Sequence, residues 1–169
     1  MEGEIVNKVA NSSLVVFDLE DYYPTEKRVL IDISQWLYEG FILKEKDFRA
    51  ALIDHDWSIY KDQYVAISCT SDAILPSWAF MLVASYVQPY AKLVVQGDLN
   101  QLDLVYYQKV INDLDFTSYQ DKPVIIKGCS KKPIPEEGYV MATQKMMNYA
   151  RSIMFGEACS AVPIFKRKK

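Results

Sequence analysis

The feature that most constrains this chain is an alternation of two hydrophobic periodicities from residue 64 onward. Compact, nearly uninterrupted apolar runs at Tyr64–Ser68, Leu93–Gln96, 124–127 and 161–165 predict β-strands. Between them lie an uncharged stretch at 74–90, a stripe on Leu99, Leu102, Tyr106 and Val110, and another on Tyr139, Ala142, Met146, Ala150 and Ile153, all at helical spacing. Strand and helix in turn imply crossover connections, because parallel neighbours cannot be joined by a tight hairpin. The expected fold class is therefore α/β, a largely parallel or mixed sheet covered by helices. Runs such as YVAIS and PVIIK carry almost no polar residues, as expected for strands covered on both faces.

The first third reads as mixed. Residues 13–19 and 28–33 are β-rich, separated by the turn-like Tyr23-Pro24-Thr25-Glu26. A helix is predicted over 45–60, where Phe48, Leu52, His55 and Ile59 share one face, His55 points inward, and Asp54 and Asp56 turn away. No repeat, low-complexity tract or Gly/Ser linker is evident, so the 169 residues are expected to form a single α/β domain, residues 1–169, with a basic C-terminal tail at 166–169.

A net charge of -3 and a pI near 5.2 argue against nucleic-acid binding, which draws its affinity from clustered Lys and Arg. The uncharged stretch at 73–91 is broken by Pro76, Ser77, Ser85, Gln88 and Pro89, which favours a buried helix over a membrane span. The N-terminal residues lack a basic start followed by an apolar block, so a cytoplasmic location is expected.

Three cysteines cannot all pair within one chain, and cytosolic thiols serve metal binding or catalysis more often than stapling. Ligands in parallel sheets bind beyond the carboxyl ends of the strands. That edge carries Cys69 and Asp72 after one predicted strand, Gly97 and Asp98 after the next, and Gly128 and Cys129 after a third. If those strands are adjacent and parallel, Cys69 and Cys129 share a rim. Each cysteine precedes a hydroxyl residue, and Cys129 and Cys159 share the pattern C-S-x-x-P, a turn able to aim donors at a thiolate.

A site of Cys69, Cys129, Cys159 and His55, with Asp72 as an alternative oxygen ligand, would suit tetrahedral zinc better than iron. No spacing is C-x-x-C, so the signature is weaker than a zinc ribbon. Cys159 also raises a geometric objection: a helix reaching from 135 to 155 would return the chain to the opposite rim unless it lies obliquely, leaving Cys159 outside the site or in one shared with another subunit.

Enzyme signatures fail for the most part. There is no phosphate loop, dinucleotide turn or G-x-S-x-G elbow. The Cys69 loop has no Arg to hold a phosphate dianion, which leaves a Cys69 nucleophile with His55 as base as the surviving catalytic idea. Asp18, Glu20 and Asp21 read as a solvated strand end.

Through KEKDFRAAL, HDWSIY, YVAISCTSDAILPSWAFML, IIKGCS and IMFGEACSAVPIFKRKK, the chain resembles, over nearly its whole length, a family of uncharacterised bacterial proteins classed as a domain of unknown function. Ala158 stands where that family pattern has Pro. The resemblance implies a link to iron-sulfur cluster assembly and so to assembly components as protein partners. Two functional readings follow. One is a thiolate-based zinc or iron accessory protein; the other is a non-enzymatic protein-interaction domain with structural buried cysteines. The oligomeric state is left open by both.

Overall fold

The computed structural model describes residues 14–128, 131–157 and 160–168. In chain order the elements are β1 (Val15–Phe17), β2 (Arg28–Asp32), α1 (Glu45–Asp54), β3 (Tyr64–Ser68), α2 (Ser77–Val87), β4 (Leu93–Gln96), α3 (Leu99–Asp113), β5 (Pro123–Ile126), α4 (Glu136–Met146), β6 (Ser152–Phe155) and β7 (Val162–Lys166). The fold class is α/β, as the alternation implies. Two compact units arise, a central unit of residues 24–106 and a split unit of residues 1–23 with 107–169, and the division falls inside α3.

In the central unit, β2, β3 and β4 form a parallel sheet in that order, with Ile31, Ile67 and Gln96 in register at the carboxyl edge. Phe48 and Leu52 of α1 and Ala79, Val83 and Val87 of α2 pack with Val65, Ile67 and Trp57 into one core. The reverse side of β3 and β4, carrying Ala66 and Val95, meets Leu102. Burying a Val or Leu side chain contributes about 1.5–3 kcal/mol, so this two-sided covering stabilises strands that have no polar face.

In the split unit the order is β1-β5-β6-β7, parallel except that β7 runs antiparallel to β6. The β6–β7 register shifts between Ile153 and Met154, which pair with Phe165 and Pro163, and leaves Ile164 as the extra residue of a bulge.

The two units repeat one another. Fifty-nine positions separate Asp56 from Asp115, Tyr60 from Tyr119, Pro76 from Pro135, Tyr90 from Tyr149 and Gly97 from Gly156, with no gap between. The same offset carries α2 onto α4 and β4 onto β6, end to end, and α1 onto the last ten residues of α3. Hydrogen bonds repeat as well. Gly97 N donates to Ile67 O at 2.9 Å and Gly156 N to Ile126 O at 3.0 Å. Lys92 N donates to Gln63 O and Arg151 N to Lys122 O, both at 2.9 Å. The expectation of a sequence without repeats is thus corrected. The shared residues are turn and cap positions together with two buried strand pairs, Val65 with Val124 and Ile67 with Ile126, whereas the helix core is interchanged, as with Val83 for Ala142 and Val87 for Met146.

Three local expectations are also corrected. The predicted helix over 45–60 ends at Asp54, since the Asp56 carboxylate accepts from Ser58 N at 3.0 Å and starts a separate 3-10 turn, Trp57–Tyr60. Trp57 Nε1 donates to Leu52 O at 2.8 Å and satisfies one of the orphan carbonyls of α1. His55 is therefore the extended cap of α1, not a residue on its face, and Ile59 is 53% exposed. The helical stripe from Tyr139 to Ile153 also divides, because α4 stops at Met146 and Ile153 belongs to β6.

Candidate functional site

The carboxyl edge of each sheet is built around an aspartate that ends the first strand. Asp32 accepts from Ser34 N at 3.0 Å and Ser34 Oγ at 2.7 Å, and across the strands from Thr70 N at 3.1 Å and Thr70 Oγ1. Burial raises its pKa, but these four donors outweigh that and bring it to about 2. In the split unit Asp18 accepts from Glu20 N at 2.9 Å and pairs with Lys127 Nζ at 2.6 Å. The Asp18 carboxylate in turn raises the pKa of Lys127. Glu20 Oε1 receives Lys131 N and, at 3.1 Å, Lys132 N. The supposed solvated strand end is thus a hydrogen-bonding clamp on the loop after β5. Sequence reasoning missed both clamps, although the matching strings Phe17-Asp18-Leu19 and Ile31-Asp32-Ile33 mark them.

The proposed metal ligands are distributed unevenly. Cys69 follows β3, half-buried, with Sγ 3.3 Å from Ser71 Oγ and 3.7 Å from Ser71 O, and packs against the core of the central unit. His55 sits between indoles, 5.3 Å from Trp36 and 4.6 Å from Trp57 by ring centroids, and its Nε2 lies 3.2 Å from Tyr60 Oη. Asp72 is exposed. Among the described residues no group of three or more His, Cys, Asp or Glu side chains is placed to hold a metal, so Cys69, His55 and Asp72 do not make a site by themselves. Cys129 and Cys159 lie outside the described residues.

The rim argument changes accordingly. It rested on β3 and β5 being neighbours in one sheet, and they belong to different sheets. Apolar runs by themselves do not reveal this, because they mark strands and not which strands pair. The objection to Cys159 loses its basis for a related reason: β6, absent from the sequence reading, intervenes between α4 and Cys159. The chain leaves β6 at the same edge as it leaves β5, since the two pair in parallel with Ile126 opposite Phe155. Beyond them Gly128 and Gly156 approach so closely that a Cβ on Gly128 would fall 3.1 Å from Gly156 Cα and 2.9 Å from the Phe155 ring. Gly156 takes φ +120°, a conformation open to glycine, and Ser160 N donates to Glu157 O at 2.9 Å.

Among the described residues no helix is long and apolar enough to cross a membrane. A family model described as "Protein of unknown function (DUF2480)" matches residues 3–167. No curated protein and no solved structure matches the chain.

Proposed function

Because the chain belongs to the DUF2480 family, whose description carries no chemistry, we propose from its own residues that it is a thiolate-based metal-binding accessory protein with Cys129 and Cys159 as the principal ligands. The observation that supports this reading is the parallel pairing of β5 with β6, whose exits at Gly128 and Gly156 converge. Cys129 is one residue beyond Gly128 and Cys159 three beyond Gly156. One and three peptide units, of about 3.8 Å each, are a length of chain that lets both thiols serve one ion. Two thiolates with further nitrogen or oxygen ligands favour zinc over iron. A two-thiolate site keeps coordination positions open for a ligand from a protein partner, and iron in that position would connect the protein to iron-sulfur cluster assembly.

The competing reading, a non-enzymatic interaction domain with structural cysteines, draws support from Cys69, whose sulfur is engaged by its own loop.

Element analysis of untagged protein, purified with and without oxygen, tests the proposal. The expected result is about one metal per chain, lost in Cys129→Ser and Cys159→Ser and retained in Cys69→Ser. Metal-free protein from both preparations overturns the reading, and loss in Cys69→Ser overturns the pairing of ligands.

A further inference from the structure

We propose that the central unit binds an extended peptide strand of a protein partner, laid antiparallel along the free edge of β4 with an apolar side chain seated between β4 and α2. The split unit contains the template. There β6 has hydrogen-bonded neighbours on both sides, β5 and the antiparallel β7. Ile164 of β7 closes a groove of about 300 Å³ lined also by Ile126, Tyr139, Val140, Thr143 and Phe155. Fifty-nine positions earlier, Ile67, Phe80, Met81, Ala84 and Gln96 line the corresponding groove, which measures about 500 Å³. Among the described residues the central unit has no counterpart of β7, because the chain turns after Gly97 into α3, and β4 pairs with β3 alone. The larger groove is the place that a β7-like strand and the Phe155 ring occupy in the other copy.

The edges themselves argue the same way. Exposed sheet edges are blunted by shortness, charge, proline or a bulge, since unpaired backbone groups invite another strand. β1 has three residues, β2 is bounded by Arg28 and Asp32, and β7 carries Pro163, Lys166 and the bulge at Ile164. β4, Leu93-Val94-Val95-Gln96, is short as well, but it carries no charge, proline or bulge within its four residues. The groove beside it is open to solvent, with Met81 69% exposed on α2. Strand addition to such an edge draws affinity from main-chain hydrogen bonds and selectivity from the pocket that receives alternate side chains. The partner segment is therefore extended, uncharged at its centre and apolar at the position that Ile164 holds in the split unit. Gln96, in place of Phe155, leaves room for that side chain and offers an amide to its backbone.

The probe is a fluorescent synthetic peptide with the sequence of residues 161–168, titrated into the full chain and followed by anisotropy, with hydrogen exchange as the second readout. Saturable binding is expected, weakened at least tenfold by Met81→Glu and by Gln96→Phe, which restores the aromatic side chain of the other copy. Val140→Glu, in the split unit, should leave it unchanged, and the amides of β4 should gain protection. Absence of saturation at millimolar peptide, binding indifferent to both groove variants, or protection gained at β6 instead would overturn the proposal. So would concentration-dependent dimerisation abolished by Gln96→Phe, which would assign the edge to a second copy of the chain.

Discussion

Asp62 and Asp121 hold the same left-handed backbone conformation, φ 59° and 57°, and each donates its N–H to a tyrosine carbonyl, Tyr90 at 3.0 Å and Tyr149 at 2.9 Å. Each sits just after the 3-10 turn of its copy of the repeat, Trp57–Tyr60 and Thr117–Tyr119, and just before the buried strand. Left-handed conformations are costly for side chains with a Cβ and least so for Asp, Asn and Gly, so both copies keep a residue type that tolerates the geometry the turn imposes.

Substitution by a β-branched residue at either position should therefore cost a similar amount. Asp62→Val and Asp121→Val are each expected to destabilise by about 1–2 kcal/mol, read as a drop in urea midpoint at unchanged slope. Tolerance of one and not the other would argue that the two turns are not equivalent.

Lys145 and its counterpart Tyr86 show how the copies diverge. Tyr86 stacks on Trp57 with ring centroids 5.4 Å apart. Lys145 lies 5.0 Å from the Phe116 ring and donates to the carbonyls of Ile111, Asn112 and Leu114 at 2.7, 2.7 and 2.8 Å. Those oxygens end α3, where the helix leaves its last acceptors unpaired and favours a cation. Lys145→Met keeps the apolar stem and removes the donors. It should destabilise by about 1–3 kcal/mol, with faster amide exchange confined to the end of α3 in hydrogen-exchange measurements. Unchanged stability would show that water replaces the ammonium at no cost.

Asp32 supplies the pH dependence. Its carboxyl is held at about 2 against an ordinary 3.8, so the ionised form is favoured in the folded chain. The resulting stabilisation is complete above the unfolded value and is lost as pH falls through the folded one. Asp32→Asn should be less stable than the parent near neutrality, and the difference should narrow between pH 4 and pH 2 because the parent then loses the same interaction. Unfolding curves across that interval measure it. A difference that stays constant would assign the loss to packing rather than charge.

Much of the fold was legible in the residues. Tyr64–Ser68 and Leu93–Gln96 form strands with the bounds their apolar runs suggest, and α2 lies inside the uncharged stretch. Local pattern failed where one periodicity ran through a break. Tyr139, Ala142, Met146, Ala150 and Ile153 keep helical spacing across the turn that ends α4, so β6 was hidden inside an apparent helix. The offset of fifty-nine residues would have exposed it, because Ser152–Phe155 falls on the image of Leu93–Gln96. Asp56 and Ser58 likewise carried the capping signal that takes His55 off the helix.

By itself the sequence determined most of the segments that become strands and helices, β6 excepted, and that they alternate, because side-chain periodicity and caps act over a few residues. Only the tertiary structure decided which strands share a sheet. Pairing is settled by backbone groups far apart in the chain, such as Val15 with Val124. That pairing puts β3, which leads to Cys69, in one sheet and β5, which leads to Cys129, in another, and sets β5 beside β6.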